Sequence, residues 1–130
     1  WEVFTGRLVW ALEDSGSLIP AFLSPDGRYI ALIGWRVILI NDAATGKQLK
    51  VLEEHKDEIG AVAWSPDGRY IASGSFDYTV QIWEVATGRS LRTFRDHKDF
   101  VRSVAWSPDG RFLVTASDDG TVRIWGIPEN

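Results

Sequence analysis

An all-β chain built from three copies of one hairpin unit is what this sequence predicts, on three observations. The string Ser-Pro-Asp-Gly-Arg plus an aromatic residue begins at Ser24, Ser65 and Ser107, 41 and then 42 residues apart. An apolar run stands on each side of every copy. No long stretch carries a helical period. A fixed period of about 40 residues marks a repeat architecture. The string itself is turn chemistry. Pro presets φ at the first corner, Asp can bond the turn's backbone, and Gly takes the left-handed position. Apolar run, short Gly turn, apolar run is the pattern of a β-hairpin.

Each unit then reads as four strands. Strand a is the run before the turn, ending at Leu23, Trp64 and Trp106. Strand b starts at the aromatic after it, Tyr29, Tyr70 or Phe112. Strand c runs from Val37 to Ile40, from Thr79 to Trp83 and from Thr121 to Trp125. A second recurring turn, Thr-Gly-Lys/Arg at Thr5, Thr45 and Thr87, leads into strand d. Strand d covers Arg7 to Leu12, Gln48 to Leu52 and Leu91 to Phe94. Its later copies alternate polar and apolar residues, as a half-exposed edge strand does. Strands a, b and c are apolar on both faces, so sheet must stack on sheet. Stacked four-stranded antiparallel sheets of this repeat length make a β-propeller. The whole of 1–130 reads as a single array, with repeats at about 1–41, 42–83 and 84–125.

Composition excludes several function classes. The chain has 130 residues, 14 basic against 18 acidic, for a net charge of −4. That leaves no electrostatic footprint for nucleic acid or an anionic membrane. No apolar run approaches the ~20 residues of a membrane span. With no cysteine there is neither a disulfide nor a thiolate metal site. Two histidines a repeat apart lack paired-ligand spacing, so no metal or other cofactor is expected. Seven Trp fall in register with the repeat, and most of them read as packing residues. The chain contains no Met, which points to a piece of something longer.

Units 2 and 3 resemble the blades of WD-repeat propellers over nearly their whole length. Unit 2 supplies His55, the Ser65 turn, Ser73, Asp77 and Trp83. Unit 3 supplies His97, the Ser107 turn, Thr115, Asp119 and Trp125. The family's Gly before His is Glu54 or Asp96 here, and its Asp after Trp is Glu84 or Gly126. Unit 1 keeps only the turn. Asp14, Leu32 and Asn41 replace its His, Ser and Trp, and its b–c turn is one residue short.

His55, Ser73 and Asp77, and again His97, Thr115 and Asp119, are the ingredients of a nucleophilic triad. The competing expectation is a buried structural relay, Trp to Ser or Thr to His to Asp, that satisfies polar groups and pins the d–a loop to the b–c turn. The set occurs twice, each copy has its own Trp donor, and no Gly-x-Ser-x-Gly elbow surrounds Ser73. We therefore expect the relay and no catalytic residue. A hydrolase using Ser73, His55 and Asp77 is the rival.

The resemblance implies recognition of a protein or peptide on the rim carrying the d–a and b–c loops. Glu58, Phe76, Tyr78, Phe100, Arg102 and Asp118 fall there, with aromatic and Arg residues as the usual anchors of interfaces. Propellers close with more than three blades. The expected solution is head-to-tail association, in which the strand from Arg7 to Leu12 of one copy completes the blade ending in the strand from Thr121 to Trp125 of the next. Two copies make six blades and three make nine. The alternative is the C-terminal part of a larger single-chain propeller. The expected compartment is the cytoplasm.

Overall fold

The computed structural model describes residues 21–127, which form eleven strands and no helix. The strands group into three antiparallel sheets. Blade 1 is β1 (Ala21–Leu23), β2 (Tyr29–Ile33), β3 (Ile38–Asp42) and β4 (Gln48–Leu52), paired in that order. Blade 2 is β5 (Ile59–Trp64), β6 (Tyr70–Ser75), β7 (Val80–Glu84) and β8 (Arg89–Phe94). Blade 3 is β9 (Val101–Trp106), β10 (Phe112–Ser117) and β11 (Val122–Gly126), with no fourth strand among the described residues. The all-β blade architecture is thus as the sequence predicts. The expected strand from Arg7 to Leu12 and the His-position residue Asp14 lie outside the described residues.

The Ser-Pro-Asp-Gly turn explains the first hairpin of every blade. The Ser65 hydroxyl donates to Asp67 at 2.6 Å, and the same oxygen accepts the Tyr70 amide at 3.0 Å. Asp67 also accepts the Arg69 amide, and Gly68 sits at φ 73° where its amide meets the Ser65 carbonyl. The Ser24 and Ser107 turns repeat these bonds. Strand c begins one residue later than the apolar run implied. Val37, Thr79 and Thr121 use their carbonyls to close the b–c turn, accepting the amides of Gly34, Ser75 and Ser117. They are turn residues, and the ladder starts after them.

Strand d pairs with the strand c that precedes it, β3 with β4 and β7 with β8. A sequence repeat therefore spans two blades, giving its outer strand to the one before. Across blades it is β1, β5 and β9 that approach one another, which places strand a innermost. Two apolar cores lie between the sheets. Ala31, Ile38, Ile40 and Leu52 of blade 1 pack on Ile59, Val62, Ile71 and Trp83 of blade 2. Ala72, Val80 and Ile82 on the other face of blade 2 pack on Val101, Val104 and Leu113 of blade 3. Period-2 alternation sends successive residues of β6 and β7 into different cores.

The fit between blades 2 and 3 is tight at Gly74. A Cβ built there would lie 2.4 Å from Val101 Cγ1. Gly74→Ala must push the blades apart, and overpacking of this kind costs about 1–3 kcal/mol. Urea unfolding of the variant should show that loss, whereas Gly120→Ser, at a turn with no atom within 4 Å, tests only backbone strain.

Candidate functional site

The b–c turn of blade 2 and the loop before β5 meet through one polar chain. His55 Nδ1 lies 2.9 Å from Asp77 Oδ2, and a carboxylate only accepts, so Nδ1 carries the proton. Nε2 then accepts the Ser73 hydroxyl at 2.6 Å. Ser73 Oγ accepts the Trp83 indole N–H at 2.8 Å. Asp77 also accepts the Lys56 amide, the Thr79 amide and the Thr79 hydroxyl. Blade 3 repeats the chain through Trp125, Thr115, His97 and Asp119, closed by the Lys98 amide and Thr121. His55, Ser73, Trp83, His97 and Thr115 are all buried.

Burial pushes the Asp77 carboxyl up. The bonds from His55, Thr79 and the Lys56 amide outweigh it and hold the group well below the usual carboxylate range. Asp119 is held low in the same way by the Thr121 hydroxyl and the Lys98 amide, against some desolvation, with His97 adding to them. Both carboxylates are therefore charged anchors for the d–a loops at neutral pH.

The structure brings together all eight residues expected in the two sets. It adds Thr79 and Thr121, which sequence reading passed over although they recur at the repeat spacing beside each Asp. Gln81, whose Oε1 accepts the Ser90 hydroxyl of β8 at 2.6 Å, has Arg123 as its counterpart in blade 3. Blade 1 has no His in its described part, and its Trp35 stands exposed in the b–c turn, away from the relay place. Asn41 stands in the Trp place and donates to the Gly46 carbonyl.

On the same rim Phe76 and Phe100 stack at 4.1 Å between ring centroids and 13° between planes, joining blade 2 to blade 3. The Arg102 guanidinium lies over both rings and is bound to Asp118 at 2.8 Å. Tyr78 is tilted toward Phe100 at 6.3 Å and is 45% exposed. Glu58 adjoins them through its carbonyl, which accepts the Phe76 amide. The six expected rim residues thus form one neighbourhood, in which the two Phe rings are half-buried against each other and Tyr78 is the exposed aromatic. Tyr78 has φ 74°, where its counterpart Gly120 has φ 85°. Among the described residues no group of three acidic, His or Cys side chains could hold a metal ion. None of their elements is a helix long and apolar enough to cross a membrane.

A family model described as "WD domain, G-beta repeat" matches residues 46–84 and 88–126. Each match runs from strand d of one blade through strand c of the next. The probable cytosolic iron-sulfur protein assembly protein CIAO1 homolog of Schistosoma japonicum is 40% identical over 83 residues, 62% of this chain and 22% of that protein. The intraflagellar transport protein 122 homolog of Mus musculus is 33% identical over 76 residues, 58% of this chain and 6% of that protein. The target of rapamycin complex subunit wat1 of Schizosaccharomyces pombe is 28% identical over 88 residues, 65% of this chain and 28% of that protein. The chain thus spans less than a third of the length of these relatives.

Ser73→Ala removes the centre of the relay and leaves the His55 acceptor and the Trp83 donor buried without a partner. A loss of about 1–3 kcal/mol is expected in urea unfolding. Tyr78→Gly should raise stability by about 1 kcal/mol, because a bulky residue at positive φ is strained there. Differential scanning calorimetry of the variant checks the sign.

Proposed function

The chain belongs to the WD-repeat family, and from that premise we propose a non-enzymatic protein–protein interaction scaffold whose ring of blades is completed head-to-tail by further copies of itself. One comparison carries the assembly. Val80 and Ile82, on the face of blade 2 that blade 3 covers, are 0% and 3% exposed. Their counterparts on blade 3, Val122 and Ile124, are 67% and 69% exposed. Phe112 stands exposed beside them. Sheets of this kind bury that face, and a bare apolar patch marks an interaction surface. The edge of β11 is a second incomplete feature. Arg123 has a buried Nε without a partner among the described residues, where its counterpart Gln81 is bonded to an outer strand. The strand from Arg7 to Leu12 of another copy would supply the missing edge. Two copies give six blades and three give nine.

A second reading is a part of a larger single-chain propeller. The small share of each relative that the chain covers favours it. In both readings a partner is met on the rim of Glu58, Phe76, Tyr78, Phe100, Arg102 and Asp118, with Tyr78 the exposed anchor. We place the protein in the cytoplasm, since one relative is named as a cytosolic assembly protein.

The triad-like geometry supports structure over hydrolysis. A nucleophile must meet its substrate, and Ser73 is 0% exposed with its oxygen engaged by Trp83 and His55. Its proton is directed at His55 as in a triad, yet the residue is closed off from solvent.

Sedimentation equilibrium of the 130-residue chain tests the assembly. A species of two or three chain masses is expected. A compact single chain at every concentration contradicts self-assembly and leaves the longer-chain reading.

A further inference from the structure

Each junction between blades carries a bond that the apolar patterning does not require. The Trp64 indole, at the end of β5, donates to the Phe22 carbonyl of blade 1 at 2.9 Å. The Trp106 indole, at the end of β9, donates to the Ala63 carbonyl of blade 2 at 3.1 Å. Donor and acceptor are equivalent residues at both junctions. Phe22 and Ala63 oppose Ala31 and Ala72 in their hairpins, and the Trp residues stand one place before the Ser of the turn. An indole that bonds across blades fixes their axial register while its ring adds apolar area. The ring of Trp64 packs on the core between blades 1 and 2, and that of Trp106 on the core between blades 2 and 3.

The equivalent acceptor on blade 3 is the Ala105 carbonyl, opposite Val114. The equivalent donor position on blade 1 is Leu23, whose side chain has no N–H and which is 61% exposed. We infer that the junction between blade 3 of one copy and blade 1 of the next is an unstapled seam, and that Leu23 sets its strength and makes it the place where the ring opens. This inference rests on the self-assembly reading. The occupant of the blade 3 face is a second copy of this chain, because its blade 1 presents Ala21 and Leu23 in the places from which Val62 and Trp64 of blade 2, and Val104 and Trp106 of blade 3, pack on the blade before. The seam continues an interface already made twice within the chain. It differs from the other two in lacking one charge-neutral hydrogen bond and most of one aromatic ring.

Leu23→Trp supplies both and Leu23→Phe supplies the ring alone. Leu23 is exposed, so both variants keep the fold. Self-association measured by sedimentation velocity across a dilution series should tighten about 5- to 10-fold per seam for Leu23→Trp, the range of one added hydrogen bond at each junction between copies. Leu23→Phe should tighten it less. Association that is present in all three proteins but no tighter in Leu23→Trp than in Leu23→Phe overturns the staple. A chain that stays single in wild type and both variants overturns the ring reading itself, and the seam with it.

Discussion

Burial of one blade's apolar face against the next is what the rest of this structure depends on. A twisted four-stranded sheet has two faces and no core of its own, so it is stable only between neighbours. Blade 2 is the one described blade with a described blade on each side, and its β6 and β7 are the most uniformly buried strands. Everything else adjusts that stacking. Gly74 lets Val101 close in, Phe94 stacks on Trp125 at 4.3 Å across the second junction, and the two indole bonds hold register.

The polar relay is a consequence of the same packing. Turning Ser73 and Thr115 into the gap between sheets buries a hydroxyl, and the loop must then provide it with a partner. His55 and His97 do so, and Asp77 and Asp119 orient them while gathering the backbone amides of the d–a loops. The result ties loop to turn on the rim that carries Tyr78 and Arg102. For the proposed rim site, such a tie lowers the ordering cost of binding a partner. Blade 1, with Leu32 and Asn41 in these places, shows no such tie among the described residues.

Much of this was legible in the sequence because the repeat forces the same chemistry at a fixed spacing. The turns at Ser24, Ser65 and Ser107 fixed three hairpins, and the missing residue in unit 1 appears as a b–c turn one residue shorter between Ile33 and Ile38 than between Gly74 and Val80. The relay followed from recurrence of His, Ser or Thr, Asp and Trp. What could not be read were relations across blades. The bonds from Trp64 to Phe22 and from Trp106 to Ala63 depend on how two sheets are offset, and no local pattern encodes an offset. The positive φ of Tyr78 was hidden because propensity puts Gly there, as at Gly120. The start of strand c was misplaced because a β-branched Thr or Val looks like strand even when its carbonyl closes a turn.

Amide hydrogen exchange across a dilution series, extrapolated to the single chain, tests the stacking most directly. The account predicts that β6 and β7 exchange slowest and that β10 and β11, bare on one face, exchange at least an order of magnitude faster. Protection of β10 and β11 equal to that of β6 and β7 in the single chain would contradict it, since an uncovered sheet would then be as stable as one held between neighbours.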